Sequence, residues 1–496
     1  MPAYVLAAAA GSRIQKYVVG VAILSVVVPL VFRGMVKLER SGRQAELVTV
    51  IFALLLLEGA AWEQTVVPIG PFHPVIAHQS FRDYEILIPM ALAARVWVRG
   101  LPRRIGATGV AMAMWSFWYT TAAIVGLIRG NNPYEILFEV KAVVYVGGSF
   151  ALAAGIPAAQ YGRRRGLLAL VRPFAIIALA LVLIYESKAS VNIPIPSLRV
   201  HGLTNVGADV ASLFGLLAVF LLVTELCRRK RTVIGLLALP VLLISVIVAG
   251  QRAALLGLAV SLLVVLLASL SPTARRRMRI TFAETIIGVV TLLFVLALTL
   301  TTGAIVSGKQ PSVPFANKLH TTFYSTGKAQ SASSRVSQYD AARKVIAEQP
   351  ILGTGLARTI TYYDVGTQQV LVSPLTHDIA TDLLLRSGVV GLLLFAASVG
   401  LSLAGGIKAW RKHPDPAVAA IGLACVAIGA GLLAKGLVES IFEKYRLAMA
   451  LGLVLGMARS AATSMTARGA PAPVTDSNEA SDPEWMPIPA GVSRRT

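Results

Sequence analysis

Apolar stretches of about 17–25 residues, the length that carries a helix across a hydrocarbon core, recur along nearly the whole chain. They are continuous rather than alternating, so each satisfies its backbone polar groups as a helix and not as a barrel strand. Spans are expected near 17–35, 46–66, 84–98, 106–128, 135–157, 167–186, 209–226, 232–249, 252–270, 281–303, 379–407, 416–437 and 444–460. The fold class expected is all-α, a polytopic membrane helical bundle of about 12–13 transmembrane helices with one large extracytoplasmic loop. Composition agrees: of 496 residues 56% are hydrophobic and only 14% charged, with a mean hydropathy of +0.71. Soluble domains carry closer to one quarter charged residues.

A formal net charge of +22 raises the question of a nucleic-acid partner. Its distribution answers no. The basic clusters KLERSGR (37–43), RGLPRR (99–104), GRRRG (162–166), CRRKR (227–231), ARRRMR (274–279) and KAWRKH (408–413) fall between apolar runs, in every second loop. Cytoplasmic loops beside anionic lipid read this way. With these loops inside, the C-terminus is cytoplasmic. The N-terminus falls outside for an odd number of spans and inside for an even one.

The transmembrane domain is expected over 1–463, followed by a disordered cytoplasmic tail, 464–496, rich in Pro, Ala, Ser and charge. Within the domain, the large loop covers 304–378, and a loop of that length in a helical bundle is usually functional. Its SSRVSQYDAARKVIAEQP (333–350) predicts an amphipathic helix, capped by serine and closed by proline, with Val336, Tyr339, Val345 and Ile346 on its apolar side. ILGTGL (351–356) follows as a glycine turn, and the remainder has no clear period. Cys227 and Cys425 suggest neither a disulfide nor a metal site. The N-terminal MPAYVLAAAAGSRIQK lacks a basic leader and is not read as a cleaved signal peptide.

Three residues stand out chemically. Arg252 opens a helix directly after a tight outer turn, against both the positive-inside bias and the helix dipole. Guanidinium plus helix N-terminus makes an anion site there; the simpler reading is an interfacial arginine that snorkels. Arg335 lies in the loop helix, where an arginine fork suits phosphate oxygens, or is merely a solvated charge. His377 stands where the loop re-enters the membrane, as a base near neutrality or a satisfied polar group. Asp378 beside it is placed as a helix cap or a site contact. Arg199, Tyr339, Asp340 and Glu439 are further contact candidates, and Lys444 and Arg446 flank the last outer turn with Glu439.

The order of segments RVHGLTNVGADVASLFGLL (199–217), GQRAALLGL (250–258), RVSQYDAARKVIAEQPILGTGL (335–356) and THDIATDLLLRSGVVGLLLF (376–395) resembles the O-antigen ligase and O-antigen polymerase superfamily of polytopic glycosyltransferases. The likeness covers roughly 135–460. It implies an enzyme of the bacterial plasma membrane whose site faces outward, moving a glycan from a polyprenyl-diphosphate-linked donor to an acceptor hydroxyl on a cell-envelope glycan or glycolipid. In that family Arg252 and Arg335 would hold the diphosphate, and His377 would be the base. Pro350, Gly353 and Gly355 match the family's P-x-x-G-x-G turn. Gln251 and Ala253 depart from the usual Ser and Gly, and Asp378 from Asn. Displacement in one step would invert the anomeric carbon, with no metal and no cofactor. Ligase and polymerase remain alternatives.

Two other readings stay open. Asp83 and Glu85 in RDYEI have the spacing of a metal-dependent polyprenyl-phosphate-sugar glycosyltransferase. A transporter or flippase for a lipid-linked glycan would place charges near the bilayer midplane, where Lys141 and Arg386 are the candidates.

Overall fold

The protein is described here from a computed structural model. It describes residues 28–62, 83–100, 105–162, 166–187, 208–228, 232–249, 251–271, 277–278, 326–365, 367–374, 376–442 and 444–464, with two short strand pairings between 75 and 80 and between 194 and 199. The expected span 281–303, most of the span 17–35, the start of the long loop and the tail beyond 464 lie outside the described residues.

Helices dominate. They are α1 (28–40), α2 (Gln44–Trp62), α3 (Asp83–Arg99), α4 (Gly106–Ile128), α5 (Pro133–Ala154), α6 (Val171–Ser187), α7 (Ala208–Cys227), α8 (Val233–Ala249), α9 (Arg252–Ser269), α10 (Thr326–Glu348), α11 (Ile379–Lys412), α12 (Pro416–Gly436) and α13 (Tyr445–Thr463). Among the described residues α4, α5, α7, α11 and α12 are long and apolar enough to cross a membrane, and shorter apolar stretches occur in α2, α6, α8 and α9. The chain is a polytopic membrane protein.

Apolarity on all sides of a helix has a meaning that depends on position. In α7 and α12 nearly every side chain is covered by other helices, so they form the centre of the bundle. In α4 and α11 much of the apolar surface is exposed and faces the lipid. Small residues let central helices approach closely, as membrane packing favours. A Cβ on Gly257 of α9 would lie 2.8 Å from the Gly431 carbonyl oxygen of α12 and 3.4 Å from Lys435 Cβ, and one on Gly431 would meet Ser261 Oγ, so the two helices run antiparallel.

The loop between α9 and α11 departs from expectation in three ways. Its helix begins at Thr326, so Ser333 and Ser334 lie inside it and do not cap it. Val336 is exposed; the buried side consists of Ala342 with Ala341, Val345 and Ile346, packed on Ile360 and Leu385. The stretch without clear period forms a hairpin, Ile360–Asp364 antiparallel to Gln369–Ser373. At the other end α11 runs to Lys412 rather than 407, taking in most of the KAWRKH cluster. It stops because Pro414 follows His413, and Asp415 caps α12 by accepting from the Ala417 N–H at 2.9 Å.

Candidate functional site

α11 is broken near its start. Gly388 takes φ +65° and ψ −170°, which ends the regular ladder and frees backbone groups on both sides of the break. In a membrane such groups need partners from protein. The glycine turn after α10 supplies them. The Leu385 carbonyl accepts from the Thr354 N–H at 2.8 Å and from its hydroxyl at 2.7 Å, and the Arg386 carbonyl accepts from the Gly355 N–H at 3.1 Å. In return, Val389 N–H donates to the Pro350 carbonyl at 2.9 Å. Gly353, at φ +81°, has no room for a side chain: a Cβ would lie 2.5 Å from both the Arg386 oxygen and the Gly388 nitrogen. The P-x-x-G-x-G turn is therefore a plug for the broken helix. Gly353→Ala is expected to cost about 1–3 kcal/mol from left-handed strain and crowding, read as a lower melting temperature.

Two residues before the break, Arg386 is buried against two acids. Its guanidinium lies 2.8 Å from Asp382 and 3.1 Å from Glu139 of α5, and donates to the Pro374 carbonyl at 3.0 Å. Thr376 Oγ1 donates to Asp382 at 3.2 Å, and Glu139 accepts from the Ala357 N–H at 2.7 Å. These acids were not singled out in the sequence. The cluster grips loop residues 357, 374 and 376, so it lies about 10 Å inside its helices and ties the loop to the bundle. Lys141, the other charge within an apolar run, is buried just before the π-helical turn Val143–Gly148 of α5.

His377 follows Thr376 directly and is half-buried. Burial pushes its imidazole below the ordinary 6.5, and the positive charge of Arg335 pushes the same way, against Glu439, Asp378 and Asp364. Asp378 caps α11, its carboxylate accepting from the Thr381 N–H at 2.8 Å. Tyr339 of α10 is held above the usual phenol value of 10, first by burial and then by the Asp378 carboxylate. Asp340, its neighbour, is exposed and turned away from this group.

Arg335 donates from Nη1 to the Val438 carbonyl at 3.0 Å, joining α10 to the turn between α12 and α13. That turn is fixed from below by Phe442, which stacks on Trp115 at 5.9 Å and meets Phe395 edge-on at 5.5 Å. It also carries a run of charge. Glu439 lies 2.5 Å from Lys435, which is almost fully buried, and 3.9 Å from Lys444. Arg446 and Asp209 of α7, both buried, are 3.7 Å apart. Lys435 is the residue most readily missed, since it ends an apolar run; its spacing of four from Glu439 is the signal that was available.

Arg252 opens α9, with Gln251 at the N-cap offering no side-chain hydrogen bond. The Gly257–Gly431 and Gly257–Lys435 contacts, extended five residues back along antiparallel helices, set the Arg252 backbone level with residues 436–440. This is the level of Val438, where Arg335 is anchored. The Arg252 side chain lies outside the described residues, as do those of Arg199, Asp83 and Glu85. Arg199 pairs with Pro194 in a two-residue ladder, and Asp83 and Glu85 fall in the first turn of α3.

Residues 237–396 match the family model described as O-antigen ligase. This segment belongs to the O-antigen ligase family. It is a membrane glycosyltransferase segment that begins within α8, takes in Arg252, Arg335 and His377, and ends just past the Gly388 break. No curated protein sequence matches the chain. The side chains that surround the ligase segment's loop come from outside the matched residues: Glu139 from α5, and Lys435, Glu439, Lys444 and Arg446 from α12, α13 and the turn between them.

Proposed function

We propose that the protein transfers a glycan from a polyprenyl-diphosphate-linked donor to an acceptor hydroxyl at the outer face of the plasma membrane, as a ligase or polymerase of cell-envelope polysaccharide. The observation that carries this is the grouping of His377, Arg335 and the α9 N-terminus around the 436–440 turn. A lipid-linked donor puts its diphosphate at the interface, and Arg252 and Arg335 offset the charge that develops on it as it departs. Preorganised donors of this kind are worth about 2–4 kcal/mol each in a partly dry site. Lys435 and Lys444 add positive charge on the same side.

His377 takes the proton from the acceptor hydroxyl as the oxygen attacks the anomeric carbon and the C–O bond to the diphosphate breaks. The proton ends on the imidazole, the electron pair on the diphosphate, and the anomeric carbon inverts. A lowered imidazole value favours this role, because the ring is neutral, and so able to accept a proton, at pH 7. Tyr339, Asp378 and Glu439 line the site near His377, and Lys435 and Lys444 flank it as the partners of Glu439. No step requires a metal ion.

The pH profile tests the assignment. Activity is expected to fall on acidification only below pH 6.5, as His377 gains its proton. In Arg335→Gln the neighbouring positive charge is gone, the imidazole is protonated more readily, and the acid limb of kcat/KM moves to higher pH. Transfer with EDTA present is expected at the untreated rate. An acid limb that ignores Arg335→Gln, or loss of activity to the chelator, would contradict the assignment, the latter pointing to Asp83 and Glu85.

A further inference from the structure

At the far end of α7 from the His377 group there is a cavity. Asp209, in the first turn of α7, faces Arg446 beside the site turn. Glu225 and Arg228 stand at the other end of the same helix, about 25 Å away at 1.5 Å per residue. Helix length alone thus puts them at the opposite membrane surface. Here the start of α6, the end of α7 and the start of α8 surround a cavity of about 440 Å³.

Its lining is divided. Leu168, Leu221 and Ile234 give an apolar wall, and Arg172, Arg228 and Glu225 a charged one. Glu225 is committed within the protein: it pairs with Arg228 at 2.7 Å and accepts from the Thr232 N–H at 2.9 Å and the Thr232 hydroxyl at 3.0 Å. Arg172 is exposed at the same cavity. With Glu225 spent on Arg228, Arg172 is the charge that the described lining leaves facing the cavity, over a pocket with one apolar and one charged side.

We propose that this cavity binds an anionic phosphate headgroup, that of a membrane phospholipid, with Arg172 on the phosphate and the first acyl carbons against Leu168, Leu221 and Ile234. Basic pockets between helices at a membrane surface hold anionic lipid in this way. The volume exceeds what a phosphate alone fills and leaves room for a glycerol backbone. The site is separate from the glycan-transfer site and independent of its chemistry.

The test is a thermal melt of the full-length protein in neutral detergent micelles. Phosphatidylglycerol, phosphatidylcholine of the same chains, or inorganic phosphate is titrated in. The proposal expects the melting temperature to rise with phosphatidylglycerol, with little effect of the other two. It expects Arg172→Gln, an exposed substitution, to weaken the apparent affinity by about fivefold, the worth of one interfacial arginine. Lys408→Gln, on an exposed basic residue elsewhere, serves as the control and should leave the affinity unchanged. Equal weakening by both substitutions would overturn the proposal in favour of general surface charge. An equal rise with phosphatidylcholine would overturn the need for an anionic headgroup, and an equal rise with inorganic phosphate would overturn the lipid as its source.

Discussion

His377→Ala is expected to lower glycan transfer by about 10²–10⁴-fold, the usual contribution of a positioned general base, with little change in melting temperature. The second half follows from the surroundings. The histidine is half-buried, and the loop beside it is held by neighbours: Pro374 and Thr376 through the Arg386–Asp382 pair, and Asp378 through its cap on Thr381. Removing the imidazole leaves those ties in place. The KM for the donor should change far less than kcat, because the diphosphate is assigned to Arg252 and Arg335. A variant that kept full activity would take His377 out of the chemistry, and one that lost activity by unfolding would show as a lower melting temperature.

Arg386→Leu is expected to be the most damaging single substitution for stability, by about 3–5 kcal/mol, because it leaves Glu139 and Asp382 buried without their cation. The Pro374 carbonyl loses its donor as well, which loosens the loop next to His377. Melting of the purified variant reads the first effect. The triple variant Arg386→Leu, Glu139→Gln, Asp382→Asn, which removes charge from both sides, should recover a large part of the lost stability. If the single and triple variants melt alike, the cluster is not held by charge pairing.

The bundle was legible in the sequence to the extent that hydropathy defines it. The expected span 106–128 coincides with α4, and 416–437 differs from α12 by a residue, since long apolar runs between polar loops have few other solutions in lipid; 84–98 matches the bounds of α3 to a residue, but α3 is not among the helices long and apolar enough to cross. The break at Gly388 was not legible. It sits inside an unbroken apolar run, and hydropathy has no term for a helix whose freed backbone groups are taken up by a distant turn. For the same reason the P-x-x-G-x-G motif could be found but its task could not. The hairpin was hidden because its exposed face is apolar too: Tyr363, Val370 and Val372 lie opposite the inner Ile360, Tyr362 and Leu371, so its residues do not alternate in polarity as they do in burial.

The site was partly legible. Unusual residues at segment edges, Arg335 and His377, stood out, and the fold brings them close enough for the Arg335 charge to lower the His377 imidazole. Asp340 was named from adjacency to Arg335 alone, and helical rotation turns it outward. Glu139 and Asp382 carry no local signal, because an acid gains meaning only from the arginine that chain folding places beside it.

The most direct test of glycan transfer is made in liposomes containing the purified protein, with a polyprenyl-diphosphate-linked glycan in the outer leaflet and an acceptor bearing a free hydroxyl outside. Appearance of free polyprenyl diphosphate together with glycosylated acceptor is the result predicted here. Passage of the intact donor to the inner leaflet, with neither product formed, would contradict it and make the protein a carrier of lipid-linked glycan.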